Sequence, residues 1–289
     1  EILRCLVGSE MCIRDRYIST CKREFKPQTK FQYSCLNYIT LQHIIETITG
    51  QSLRDFAKEN IFDILGMQYT DYLPTIQQQD GKWINTVACP WMDRIAPTEK
   101  QKDGSVLCGQ VHDPLARILN GGISGNAGIF SNANDIGILA AALLNGGEYN
   151  GHRILSPLGV KTMCTVPREL TAFGRTPGWD IFSPYASNKG DLFSPNTFGH
   201  TGYTGTSIII DPDNDTAVIL LVNAVHPEDR HSIVRLRSLV ANAVAASICP
   251  PAQVYTDHYY KRFLQFETET PISPKDIVMV GNSLTENGG

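Results

Sequence analysis

The chain has 289 residues, 42% hydrophobic and 19% charged, with a formal net charge of −4 at pH 7. This is the balance of a globular chain with a sizeable core, enough for one large domain or two ordinary ones. The acidic excess excludes a nucleic-acid binder that works through a basic surface, and no apolar run approaches the ~20 residues that a membrane-spanning helix needs.

Eight cysteines stand at positions 5, 12, 21, 35, 89, 108, 164 and 249. None forms a Cys-x-x-Cys pair, which removes the usual zinc and thioredoxin readings, and the scatter predicts unpaired, partly buried thiols. Residues 6–16, LVGSEMCIRDR, resemble a sequencing-library adapter translated in frame. Residues 1–16 are therefore expected to be non-native, with native sequence starting near Tyr17 and a segment missing before it. Asn37 to Thr49 carries apolar residues at 39, 41, 44, 45 and 48, close to helical period, and Gly50 suits the stop. Ser52 with Asp55 three residues on has the form of a capping box for a helix through Phe62, stopped by Gly66. Residues 70–120 lack long periodicity and read as an irregular insert, followed by a Gly-rich loop at 120–128.

Asn134 to Leu144 predicts a buried helix with an Asn or Asp cap, ended by Gly146 and Gly147. Ser156 to Cys164 predicts a short helix opening on Ser-Pro. Ser207 to Ile210 and Ala217 to Val222 are β-rich runs, and the turn residues Asp211 to Asp215 between them predict an antiparallel hairpin. Ile233 to Ile248 reads as a closing helix with Val, Leu and Ala on its inner face. Pro250 and Pro251 open a linker. The boundaries are thus 17–249 for the main domain, 250–275 for the connector and 276–289 for the first strand of another domain. Helices, a late hairpin and a closing helix give an α+β class, a sheet with helices packed on it.

Four motifs carry chemistry: Tyr33-Ser34-Cys35-Leu36-Asn37 at a helix start, Gly109 to Asp113, Gly125 to Ser131, and His200-Thr201-Gly202 at a strand. Their order and flanking elements resemble the serine β-lactamase-like hydrolases, which include class C β-lactamases, DD-peptidases and related esterases. The resemblance runs from about residue 23 to 248. It implies an antiparallel sheet flanked by helices and acyl transfer by a serine nucleophile, a base and oxyanion donors. It implies that Tyr33 supports proton transfer, that His200, Thr201 and Gly202 line the pocket, and that Thr204 supplies an oxyanion N–H. Gly202 would let substrate approach the backbone closely.

Two departures follow from the same resemblance. Cys35 stands where the family commonly has an Asn that contacts the substrate amide, which weakens any reading as a β-lactam hydrolase. Asn37 lies two residues on, and faces elsewhere if the helix has already begun. The family's nucleophile comes from Ser-x-x-Lys, and the only such string is Ser19 to Lys22, fourteen residues before Tyr33. The family places many tens of residues in that interval, so the nucleophile is expected to lie in the missing segment and this chain to be inactive alone.

The pair His112-Asp113 reads as a loop hydrogen bond, residues 124–131 as a backbone-defined loop near the pocket rather than a phosphate cradle, and His226 as a loop residue. Residues 280–289, VGNSLTENGG, resemble the first block of SGNH (GDSL-like) esterases, with Ser283 as their serine. The expected partners are a small-molecule or peptide substrate, with no cofactor, no metal, no nucleic acid and no transmembrane segment. The family implies a bacterial periplasm or cell envelope. The rival functions are a non-catalytic module that binds peptides or cell-wall fragments, and an accessory domain to a downstream SGNH esterase.

Overall fold

The computed structural model describes residues 18, 20–22, 24–26, 29–183, 189–229 and 232–248. By contacts the chain divides into a large unit, Glu1–Ala246, and a second, Ser247–Gly289. Ser19, the linker and the tail with Ser283 lie outside the described residues.

Helix α1 (Cys35–Thr49) starts where Ser34, in extended backbone, accepts the Leu36 N–H on its hydroxyl, and it stops at Gly50 with φ 70°. The start precedes the expected Asn37 by two residues, because the Ser34 cap acts before the apolar pattern begins. The buried stripe also differs from the apolar pattern. Ile39 and Gln42 are buried and Ile45 packs on the core, whereas Leu41, Ile44 and Ile48 are exposed. The expected second helix is split into α2 (Leu53–Ala57), a π-helical turn (Lys58–Phe62) and α3 (Asp63–Leu65), with Ser52 capping the Asp55 N–H as predicted and Gly66 as the stop.

The irregular insert contains short pairs. Strand β1 (Asp71–Tyr72) pairs with β4 (Ile129–Phe130), and β2 (Thr75–Gln77) with β3 (Trp83–Asn85), both antiparallel. Helix α4 (Ala133–Leu144) is capped by Asn132, one position before the helix and two before the expected start. Its buried Asp135 accepts the Tyr69 N–H (2.7 Å) and the Thr70 hydroxyl (2.8 Å), tying the helix to the segment before β1. The β5–β6 hairpin (Glu148–Tyr149, His152–Arg153) leads to α5 (Pro157–Cys164), which opens on Ser156 and Pro157 as expected.

Strands β7 (Phe198–Thr201), β8 (Ser207–Asp211) and β9 (Thr216–Leu220) form an antiparallel meander, and the β8–β9 pair is the predicted hairpin. Period-two alternation assigns its faces. Phe198 and Ile210 pack on Ala140 and Leu143 of α4 and Val160 of α5. Ile209 and Val218 pack on Ala241 of α6 (Val234–Ile248). A third cluster joins Leu53, Phe62, Leu65, Met67 and Tyr72 to Ala142 of α4. The inner face of α6 carries the expected Val and Ala, with Val240 and Val244 packed beside Ala241, but not the expected Leu. Arg237, Ala241 and Ala245 are buried, while Leu236 and Leu239 are exposed. Small side chains let the helix sit close on the sheet, and the arginine finds backbone acceptors there.

Candidate active site

Two segments far apart in sequence meet at one point. Tyr33 sits immediately before the Ser34 cap of α1, and His200 near the end of β7. Their ring centroids are 6.5 Å apart. The start of α1 is anchored through its own backbone. The carbonyl of Tyr38 lies so close to the 124–131 loop that a Cβ on Gly125 would come within 2.1 Å of it. The buried Gln42, one turn on, accepts the Gly125 N–H (3.0 Å) and donates to the Ile123 carbonyl (3.1 Å). Loop 124–131 is thus the backbone-defined loop that the sequence suggested. Its effect on the site is to hold the helix that carries Tyr33.

Arg175 is the residue that sequence reasoning missed. Its Nη1 pairs with Asp180 (2.9 Å). Its Nη2 reaches the Tyr38 hydroxyl (3.4 Å) and His200 Nε2 (3.3 Å). The guanidinium carbon lies 5.6 Å from the Phe31 ring centroid and 5.7 Å from that of Tyr33. Asp180 is buried and Arg175 largely so, with 8% and 11% of the side chain exposed, so this is no surface salt bridge. The hint in the sequence was Phe173-Gly-Arg-Thr-Pro-Gly-Trp-Asp180, a turn-rich string with a charged residue near each end.

Electrostatics separates the two rings. Burial, helped by the neighbouring Cys35 thiol, pushes the Tyr33 phenol above its ordinary value, and Arg175 pulls it down without prevailing. Tyr33 is therefore a protonated hydroxyl at neutral pH, a donor until a further cation stands near it. Burial and then Arg175 push His200 below the usual histidine range, against the weaker pull of the Thr201 carbonyl and Asp180.

Beyond β7 the chain turns sharply. Gly202 donates its N–H to the Thr206 carbonyl (2.7 Å), and Gly205 donates to the Gly202 carbonyl (3.1 Å). The space that a Cβ on Gly202 would take is already filled by the Thr206 hydroxyl, 2.3 Å away, so the close approach seen at this glycine is made by the chain itself. Thr204 lies in this turn, its carbonyl accepting the Ala224 N–H (2.7 Å). Arg237 of α6, the second residue missed from sequence, donates to the carbonyls of Gly202 and Thr206, both at 3.0 Å. It fastens the turn from beneath.

The remaining candidates divide. Cys35 is half-buried at the first position of α1, beside Tyr33. Asn37 is exposed in the first turn, its N–H bonded to the Ser34 carbonyl, so the helix has begun before it. His112 does not bond to Asp113. It pairs with Glu99 (3.1 Å) and stacks on Tyr203 with centroids 5.7 Å apart. Asp113 instead accepts the Ala116 N–H (2.8 Å). His226 bonds to the Thr98 carbonyl (2.7 Å), in keeping with a loop role. Cysteines 21, 35, 89, 108 and 164 are free thiols, as their spacing predicts.

Among the described residues no group of three or more His, Cys, Asp or Glu side chains could hold a metal ion. No helix among them is long and apolar enough to cross a membrane. A cavity of about 360 Å³ lined by residues 63–66, Tyr149, Asn150 and His152 contains none of the candidate residues.

Comparison with known proteins places the chain. The beta-lactamase family profile matches residues 14–242. A protein of Escherichia coli K12 bearing the name "Putative D-alanyl-D-alanine carboxypeptidase" is 36% identical over 217 residues, 70% of this chain and 47% of that protein. A protein of the same name from Salmonella gallinarum is 34% identical over the same shares. The chain therefore spans about half the length of the curated relatives it matches. Among solved structures, a beta-lactamase from Mycobacterium bovis aligns with a TM-score of 0.52 at 19% identity, over 78% of this chain and 68% of that one. Simvastatin synthase from Aspergillus terreus aligns with a TM-score of 0.56 at 15% identity, over 83% and 62%. At such identities the likeness is one of fold, and the fold is of the α+β class expected from the sequence.

Proposed function

The chain belongs to the beta-lactamase family of serine hydrolases, and on that premise we propose that it is part of a bacterial hydrolase working through an acyl-enzyme. The substrate class is a peptidoglycan-type peptide, with an ester or a β-lactam as the other acyl donors such a site takes. The carrying observation is the meeting of Tyr33 with His200, the first residue of His200-Thr201-Gly202, across more than 160 residues of sequence, which supports the motif order that the resemblance implies. In this reading the nucleophile and its lysine come from the part of the relatives' length that this sequence does not span. Attack by the serine Oγ on the acyl carbon forms the ester and expels the amine or alcohol, which takes a proton through Tyr33. The raised phenol fits a donor role, and the lysine would supply the cation that lets Tyr33 also accept a proton. The turn after Gly202, with Thr204 in it, is proposed to supply oxyanion donors. A peptidoglycan substrate would put the protein in the bacterial cell envelope. The tail around Ser283 is proposed to begin a separate SGNH-type domain.

The test is covalent labelling of the longer protein with a fluorophosphonate and with a fluorescent penicillin. We expect one serine ester, formed about 10²- to 10⁴-fold more slowly in Tyr33→Phe, the usual range for a proton-transfer group. A folded protein that takes neither label would sink the proposal. It would favour the rival reading, binding without turnover, which Cys35 in place of the amide-contacting Asn supports.

A further inference from the structure

We infer that Arg175 is a positioning residue for the end of β7, holding His200 as its Nδ1–H tautomer with Nε2 turned to the guanidinium. The reason is donor and acceptor chemistry. Arginine carries five N–H donors and no acceptor, so at 3.3 Å from Arg175 Nη2 the His200 Nε2 atom must present its lone pair. A carbonyl oxygen only accepts, so at 3.0 Å from the Thr201 carbonyl the Nδ1 atom must carry the proton. The two contacts demand the same tautomer, and neither is compatible with the other one.

The holder is itself held. Asp180 fixes the guanidinium (2.9 Å) and is fixed in turn by the Ser183 N–H (3.1 Å) and hydroxyl (2.7 Å). Its backbone exchanges two hydrogen bonds with Gly199, the residue before His200, at 2.9 and 3.0 Å. The loop around Asp180 and the strand that presents the imidazole therefore move as one piece. The charged and titratable groups facing His200 are Arg175 and Asp180 from that loop and Tyr33 from the approach to α1, with Tyr38 of α1 bonded to the same guanidinium. A proton added at Nε2 would point at the Arg175 cation, which agrees with the lowered basicity of the ring.

The consequence, which rests on the acyl-transfer reading, is a division of labour. The fixed positive charge at the strand end belongs to Arg175 and does not titrate. His200 contributes shape and a lone pair, and any limb it adds to the pH profile of turnover lies below the ordinary histidine range.

The experiment is long-range ¹H–¹⁵N correlation on the uniformly ¹⁵N-labelled full chain, with His200 identified among the seven histidines by its loss in His200→Gln. We expect Nδ1 at a protonated-type shift, Nε2 at an unprotonated-type shift, and a titration midpoint below the ordinary value of about 6.5. In Arg175→Met combined with Asp180→Asn, which leaves no unpaired buried carboxylate, the midpoint rises and the Nε2–H form becomes populated. Asp180→Asn alone keeps the guanidinium, so the tautomer persists and the midpoint falls further. An Nε2–H form in the wild type overturns the inference, as does an unchanged tautomer and midpoint in the double variant. Should the double variant not fold, Asp180→Asn decides, and an Nε2–H form there, with the guanidinium still present, is equally fatal. These readouts need neither nucleophile nor substrate, so they succeed or fail independently of covalent labelling.

Discussion

Asp211 shows how single side chains in this protein are chosen for their hydrogen bonds. It closes β8 and is fully buried. Burial alone would push its carboxyl up. The Ser194 hydroxyl (2.7 Å) and N–H (3.0 Å), the Asn214 amide (2.7 Å) and the Asp213 N–H (3.0 Å) together hold it below the usual carboxylate range. A carboxyl whose folded value is below its unfolded one, about 3.9, favours the folded state while it is ionised. That contribution is complete above about pH 4 and is lost as pH falls through the lower, folded value. We therefore expect denaturant unfolding to show the wild type losing stability on acidification below pH 4, and Asp211→Asn losing less over the same interval. At pH 7 the variant should be destabilised by about 1.5–3 kcal/mol, the range for hydrogen bonds to a charged group. The motif Asp211-Pro-Asp-Asn-Asp215 read correctly as turn chemistry, but Ser194 was not legible as its partner, because nothing local links residue 194 to residue 211.

At the scale of elements, the close contact between α1 and loop 124–131 decides where Tyr33 stands. Gly125→Ala would put a methyl group 2.1 Å from the Tyr38 carbonyl, and backbone cannot rotate away as a side chain can. The helix start must shift, so we expect a loss of about 1–3 kcal/mol in unfolding experiments. The same shift should slow covalent labelling of the longer protein, whereas Gly50, with open space around it and only its φ to satisfy, should leave labelling unaffected when replaced by Asn. Helix starts were legible to within two residues because Ser34, Ser52, Asn132 and Ser156 cap them locally. Their inner faces were less so. In α1 the apolar residues lie on two stripes, and only the packing of Ile39, Gln42 and Ile45 selects one. In α6 the leucines face outward because Arg237 finds the Gly202 and Thr206 carbonyls.

For the whole molecule, the meander β7–β8–β9 is a shelf between α4 with α5 on one face and α6 on the other, and His200 rides at its end. The proposal that the tail begins another domain carries its own test. Removing residues 272–289 should leave the thermal midpoint of the remainder unchanged in calorimetry. A drop of several degrees, equivalent to more than about 1 kcal/mol, would mean that the tail is part of the first fold.

The sequence by itself determined the class, the late hairpin, the Ser52 and Ser156 helix starts, and Tyr33 and His200-Thr201-Gly202 as candidates. Those features rest on periodicity, on residues bonding to near neighbours, and on a resemblance carried by short strings. Only the tertiary structure decided that Arg175 and Asp180 stand between the two motifs, that Arg237 holds the turn after Gly202, and that His112 turns to Glu99 rather than to Asp113. Each of those contacts depends on donors and acceptors brought together by packing across the fold, and an arginine in a turn-rich string carries no local mark of what it will meet.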